Sequence, residues 1–283
     1  MTPPRSHLGA YLRARRGLVQ PEDVGLARDP SRRVAGLRRE EVAALAAISP
    51  DYYLRLEQGR THQPSDQVLV SLGRALALDQ DAVTHLFRIA RPRAGRRHTG
   101  AASAADDPNL VGLLAQWPST PAFILDSTQT IVLANTLARA LGAGYTEVGS
   151  NLVLAMFSEP MRQTSADWES AARDSLAALR YHSDPDDPRL RQIVGTLEAN
   201  DADFRRLWAR HDARPYVTGS TRTFVDGVGP VDLRFQNFAV PGHDGHTLTA
   251  FFDEPGTQAS AALAYLAAQG EIVLSHGPHA QLR

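Results

Sequence analysis

Residues 39–58 read Arg39-Glu-Glu-Val-Ala-Ala-Leu-Ala-Ala-Ile-Ser-Pro-Asp-Tyr-Tyr-Leu-Arg-Leu-Glu-Gln58. Ser49 before Pro50 marks a helix start, a capping hydroxyl followed by a proline at the first helical position. Two helices that cross near a right angle need a small residue where they touch, and Ala43 occupies that place. The second helix must bury one side, and Ile48, Tyr53 and Leu56 lie along it. Asp51, Tyr52, Arg55 and Gln58 then face outward, on a surface suited to the major groove of DNA. An arginine there can grip guanine O6 and N7 with two hydrogen bonds, and a tyrosine ring can pack on a thymine methyl. The spacing by itself also fits an ordinary helical hairpin in a bundle.

Outward from this stretch, residues 8–16, with Leu8, Tyr11 and Leu12, carry helical spacing that ends at Gly17. A Pro- and Arg-containing connection follows from Gln20 to Gly36. Its Arg28, Arg32 and Arg33 read equally well as a phosphate-gripping arm or as a solvated loop. Arg38–Ala46, Pro50–Gln58, Asp66–Leu78 and Asp81–Ala90 each repeat apolar residues three and four apart, with Ser65 and Asp79 as further caps. The first 90 residues thus read as five short helices. Residues 91–107 lack an apolar period and read as a linker. Ala122–Leu125 and Thr130–Ala134, around Asp126-Ser-Thr-Gln129, predict a hairpin. Helical stretches follow at Thr136–Leu141, Pro160–Tyr181, Arg189–Ala199 and Asp203–His211. Strands return at Tyr216–Asp226, Val231–Val240 and Thr247–Asp253, separated by glycine- and proline-rich turns, and an alanine-rich helix closes at 258–269. The expected architecture is multidomain: an all-α five-helix domain at 1–90, a linker at 91–107, an α+β domain with an antiparallel sheet at 108–270, and a tail at 271–283.

Charge follows the same division. Residues 1–100 hold 17 arginines against 10 carboxylates, and residues 101–283 hold 13 against 21. A basic head on an acidic body places any polyanion contact on the head. With 43 % apolar residues the chain can build real cores. No apolar run approaches the roughly 20 residues of a bilayer span. The absence of cysteine excludes disulfides and thiolate sites. A cytoplasmic protein is the simple expectation.

Leu37-Arg-Arg-Glu-Glu-Val-Ala43 and Tyr53-Leu-Arg-Leu-Glu-Gln-Gly-Arg60, followed by Pro64-Ser65, resemble the phage-repressor (XRE-type) helix-turn-helix family over about residues 8–90. The resemblance implies a DNA-binding domain that works as a homodimer on a two-fold operator. Its implied DNA-contacting residues are Arg38, Arg39, Pro50, Asp51, Tyr52, Arg55, Arg60 and Thr61, the last two on phosphate. It also implies that Arg16, ending the first helix, pairs with Glu57. Two positions depart from the pattern. Ala47 stands where the family favours glycine, at a cost of about 1 kcal/mol if the backbone is left-handed. Pro50 cannot read a base by hydrogen bonding, which leaves more to Asp51, Tyr52 and Arg55.

Pro121-Ala-Phe-Ile-Leu-Asp126, Leu133-Ala-Asn135, Asp167-Trp-Glu169, Asp186-Asp-Pro-Arg-Leu190, Phe204-Arg-Arg-Leu-Trp-Ala-Arg-His-Asp212 and Glu254-Pro-Gly256 resemble the ligand-binding half of MmyB-like regulators, which is PAS-like. That resemblance implies an apolar cavity for a fatty-acid-like molecule. Phe157, Trp168, Phe235 and Phe251 are candidates for its lining, or plain core. Arg180, Arg210 and Arg234 are candidates for a carboxylate at its mouth, or bridges to acidic neighbours such as Asp174 or Asp212.

No catalytic, metal or cofactor site is expected. Arg210-His211-Asp212 places His and Asp about 100° apart on a helix, which does not make a dyad. His243, Asp244 and His246 sit in a glycine-rich turn with no further ligand. The expectation is therefore a DNA-binding transcription regulator and not an enzyme. Its second domain senses a small apolar ligand or, alternatively, is a protein-interaction module without one.

Overall fold

The computed structural model describes residues 6–27, 32, 34–60, 63–91, 104–141, 145–164, 167–225 and 227–275. Arg28, Arg33, Thr61 and most of the 91–107 linker lie outside them. The chain divides into two compact units. The first is Met1–Arg97 together with Leu176–Tyr181 and Glu198–Pro215, and the second is the remainder.

Five helices build the amino-terminal part of the first unit: α1 (His7–Leu18), α2 (Arg39–Leu45), α3 (Pro50–Glu57), α4 (Asp66–Ala75) and α5 (Gln80–Ala90). Ser6, Ser49, Ser65 and Asp79 each accept a backbone N–H of the first turn that would otherwise lack a partner. The apolar stripes converge on one core in which Leu12, Leu37, Val42, Ala43, Tyr53, Leu69, Leu72, Leu76 and Leu86 have no exposed surface. The spacing predicts helix to Leu78, yet α4 stops at Ala75. Ala77 takes a left-handed φ of 48°, and Leu78 donates back to the Gly73 carbonyl at 2.9 Å, a helix end that ordinarily uses glycine. A short 3₁₀ turn, Pro21–Val24, interrupts the connection after α1.

The second family of elements runs α6 (Pro108–Ala115), β1 (Ala122–Leu125), β2 (Ile131–Ala134), α7 (Thr136–Leu141), α8 (Leu152–Met156), α9 (Glu159–Thr164), α10 (Trp168–His182), α11 (Pro188–Asn200), α12 (Ala202–Trp208), β3 (Thr218–Val225), β4 (Gly229–Ala239), β5 (Thr247–Phe252) and α13 (Gln258–Ser275). The five strands form one antiparallel sheet in the order β2-β1-β5-β4-β3, with the intervening helices between the second and third strands. This is the PAS-like α+β arrangement. The hairpin turn is closed by Asp126, whose carboxylate accepts from the Thr128 and Thr130 N–H groups at 2.8 and 2.9 Å. Asn135 fastens the far end, donating to the Trp117 and Thr120 carbonyls and accepting from the Ala122 and Ala138 N–H groups.

Strand alternation puts Val231, Leu233, Phe235 and Phe251 on the inner face, packed with Phe123 and with Ala259, Ala262 and Leu263 of α13. On the outer face, Leu114 of α6 packs with Ala122, Ile124 and Val240. Two differences from the sequence expectation stand out. The helix expected at Pro160–Tyr181 is two, α9 and α10, and the indole N–H of Trp168, the first residue of α10, donates to the carbonyl of Met156, the last residue of α8, at 2.7 Å. The short helices α6 and α8 carry too few turns to register as a period.

Candidate nucleic-acid interface and sensing domain

The turn between α2 and α3 is built by Ala47, whose φ of 54° is left-handed. Ala47 and Ile48 donate back to the Ala44 and Ala43 carbonyls at 3.1 and 3.0 Å. Glycine would adopt this backbone without strain; here the buried Ala43 and Ala46 on one side and Ile48 on the other hold it in place. Ser49 Oγ then accepts the Tyr52 N–H at 3.1 Å and α3 begins at Pro50.

Helix α3 has two unlike faces. Tyr53, Leu56 and Glu57 are buried, whereas Pro50, Asp51, Arg55 and Gln58 are exposed and Tyr52 is half-buried. The Arg55 guanidinium lies 5.9 Å from the centre of the Tyr52 ring, near the outer limit of a cation–π contact. Asp51, Arg55 and Gln58 therefore share the outward side of α3, with Tyr52 on one flank of it and Pro50 at the helix start on the other. Arg60 is exposed just past the helix, and its N–H donates to the Arg55 carbonyl at 2.9 Å.

Beneath that surface sits a charge cluster. The buried Glu57 carboxylate accepts from Arg16 Nε through one oxygen and from Arg39 Nε through the other, both at 2.7 Å. Burial alone would push its pKa up, but the two arginine hydrogen bonds outweigh it and hold Glu57 below its ordinary value. The Arg16 pairing is the one the family resemblance implies. The second partner, Arg39, stands at the start of α2 with about half its side chain exposed, so it buttresses α3 and reaches the surface at once. Its pKa is raised, chiefly by the Glu57 hydrogen bond. A buried carboxylate costs free energy unless its oxygens are hydrogen-bonded, and the second partner, 18 residues away, is one that the sequence pattern does not announce. Arg38 caps the same helix: its backbone N–H donates to Glu41 Oε2 at 2.6 Å.

Arg32 is neither a phosphate arm nor a solvated side chain. Its guanidinium grips Glu41 with bonds of 2.8 and 2.5 Å and also donates to the Gly36 carbonyl at 2.7 Å. This pins the long connection to α2. The Arg32 hydrogen bonds are the main reason that Glu41 is held below its ordinary pKa.

The candidates in the sensing domain separate into groups. Phe235 and Phe251 pack 6.1 Å apart on the inner sheet face. Phe157 and Trp168 form an edge-to-face pair at 5.4 Å, with Arg162 stacked 3.9 Å over the indole. Arg234 points to the opposite face from Phe235, its sequence neighbour, where it pairs with Glu254 at 3.2 Å and lies over Phe252. Arg180 and Arg210 belong to the first unit. Arg180 is buried, donating to the Trp208 and Asp212 carbonyls at 2.7 and 2.9 Å. Stripped of solvent, its guanidinium pKa falls to about 9. Arg210 pairs with the Asp212 carboxylate at 2.9 Å, the bridging alternative weighed from the sequence.

Among the described residues no group of three or more His, Asp or Glu is placed to hold a metal ion, and no helix is long and apolar enough to cross a membrane. No curated protein matches the chain. A helix-turn-helix domain family matches residues 7–86, which contain the Ala47 turn and both helices around it. The family described as the MmyB-like transcription regulator ligand binding domain matches residues 107–266, more than half of the chain. Both are regulatory families. With a helix-turn-helix whose second helix presents a polar face, joined to that domain, the chain is a DNA-binding transcription regulator and belongs to the MmyB-like family.

Proposed function

We propose that the chain reads a specific operator through the outward face of α3, with Arg55 and Tyr52 on base edges, Asp51 beside them, and Arg60 and Thr61 on phosphate. The observation that carries this reading is the division of α3 into a face locked by Glu57, Tyr53 and Leu56 and a face whose polar side chains are exposed. Residues 1–90 are the reading domain and residues 108–270 the sensing domain. The chain acts as a homodimer on a two-fold site, because one α3 covers too few bases for useful specificity. Selection of bound fragments from random DNA tests this: enrichment of a palindrome with half-sites about one helical turn apart is expected, and recovery without enrichment overturns it.

The sensing domain takes an elongated apolar molecule with a fatty-acid-like chain against the inner sheet face, where Phe123, Tyr216, Phe235 and Phe251 line up. Arg180, Arg210 and Arg234 are all engaged with other partners, so the reading commits to the apolar chain and not to an arginine on its head group. A ligand alters DNA binding only by favouring one dimer arrangement over another. Native mass spectrometry for a bound lipid, with operator affinity measured stripped and restored, is the test. A bound lipid and a changed affinity support the switch; a lipid with identical affinity leaves the pocket and removes the switch. A second reading, a protein-interaction module, is favoured by Phe224, Phe238 and Phe252, which are 61 %, 51 % and 38 % exposed on the outer sheet face. Absence of any lipid would shift the assignment to it.

A further inference from the structure

Residues 207–212, Leu-Trp-Ala-Arg-His-Asp, fall within the span matched by the ligand-binding family, yet they belong to the compact unit that contains the helix-turn-helix. The contact is built on Asp212, which is 5 % exposed. One carboxylate oxygen holds Arg15 Nη1 of α1 at 2.6 Å and the other holds Arg210 Nε at 2.9 Å. Arg180 fixes the same turn from behind through its two carbonyl bonds and stacks 3.5 Å over the Trp208 ring. His211 stands at a left-handed φ of 54° and lies 6.4 Å from Tyr11 of α1. Arg88 of α5 completes the seat, donating to the Arg180 carbonyl at 3.1 Å.

On its other side α1 is fastened to the recognition helix. Gly9 approaches the Glu57 carbonyl so closely that a Cβ would sit 2.3 Å from its oxygen. Arg13 donates to that same carbonyl at 3.2 Å, and Arg16 holds the Glu57 side chain. At about 100° per residue, Tyr11 and Arg15 form one face of α1, and Gly9, Arg13 and Arg16 lie on the face roughly opposite. Helix α1 is thus gripped by Asp212 on one side and grips the end of α3 on the other.

We infer that Asp212 is a positioning residue for the DNA-reading helix, acting through Arg15 and α1, and that displacement of the 207–212 segment is how the sensing sequence alters DNA affinity. The inference rests on the reading of α3 as the DNA-contacting helix. A change at Asp212 moves no group of the reading face itself, so its effect on DNA must pass through α1.

The test uses the full chain. Asp212→Asn keeps the shape and removes the charge that holds Arg15; Asp212→Glu keeps the charge. Operator and random-duplex affinities are read by fluorescence anisotropy, and hydrogen exchange is followed in peptides covering 7–18 and 50–57. Asp212→Asn is expected to weaken operator binding about tenfold while random-duplex binding changes little, with faster exchange in both peptides. Asp212→Glu is expected to recover most of the loss. Arg15→Met is expected to reproduce the loss, and the double variant Arg15→Met/Asp212→Asn to be no worse than either single, since residues of one contact are not additive. Unchanged operator affinity together with unchanged exchange in 50–57 overturns the inference. So does an equal loss of operator and random binding in both Asp212→Asn and Arg15→Met, which marks simple destabilisation. A wild-type chain that selects no sequence refutes the DNA reading instead, and the exchange in 50–57 still decides whether Asp212 holds α3.

Discussion

Glycine to alanine at two positions of α1 should act in opposite directions. At Gly9 the added Cβ would meet the Glu57 carbonyl oxygen at 2.3 Å and its carbon at 2.8 Å, whereas at Gly17 nothing lies within 4 Å. A backbone carbonyl cannot rotate away like a side chain, so α1 must lift off α3, at an overpacking cost near the upper end of the usual range, about 3 kcal/mol. Alanine returns about 1 kcal/mol of helix propensity, leaving Gly9→Ala about 2 kcal/mol less stable. Gly17→Ala has only the propensity gain, about 0.5–1 kcal/mol near a helix end. Read as hydrogen-exchange protection in peptides 7–18 and 50–57, the first should fall about 30-fold and the second rise a few-fold, at roughly 1.4 kcal/mol per tenfold. If both variants shift protection the same way, the close approach of α1 to α3 is not what Gly9 provides.

Other outcomes follow from the buried charges. Glu57→Ala leaves Arg16 and Arg39 without their shared anion, at about 3 kcal/mol. Arg16→Met/Glu57→Leu should melt no lower than the worse single variant, and a lower melt contradicts the pairing. The buried His85 and the half-buried His211 have pKa values pushed down to about 2 and about 3, first by loss of solvent and then by Arg88 and Arg180 respectively. Both are neutral in the fold, so the unfolded chain takes up protons first. Stability is full above the ordinary histidine pKa of about 6.5 and declines below it, by about 4 kcal/mol for the pair between pH 7 and pH 5. His85→Phe should flatten the slope of a urea titration across that interval, and an unchanged slope refutes the assignment. Arg32→Ala should expose the 34–37 amides to exchange while leaving random-duplex affinity and its salt dependence intact; a flatter salt slope would mean that Arg32 contacts phosphate after all.

Much of this was legible because the relevant signals are local. Ser49-Pro50, Ser65 and Asp79 announce helix starts, and Ile48, Tyr53 and Leu56 announce the inward side of α3, so its outward side follows by subtraction. Alternation along β4 gives Phe235 to the inner face and Arg234 to the outer, a separation that period-2 patterning already contains. What could not be read joins residues far apart in sequence. The Arg39 and Arg32 pairings span 18 and 9 residues, and the Arg15–Asp212 contact spans 197. Local periodicity is silent about such pairs, and a lone arginine looks the same whether it faces phosphate, solvent or a buried carboxylate. The left-handed Ala77 was hidden for a related reason, since the packing around it, not its own preference, imposes the backbone, whereas the resemblance already marked Ala47 as a glycine-favouring position.

On the reading proposed for α3, its outward face meets base edges, and Arg55 is the side chain whose loss isolates that contact. An operator selected with the wild-type chain and a random duplex of equal length should be titrated, at fixed salt, with wild type and Arg55→Ala. Loss of one bidentate base contact should reduce operator affinity by about 1–3 kcal/mol and relax preference at a single position in each half-site, while random-duplex affinity changes far less. An unchanged ratio of operator to random affinity would contradict the account.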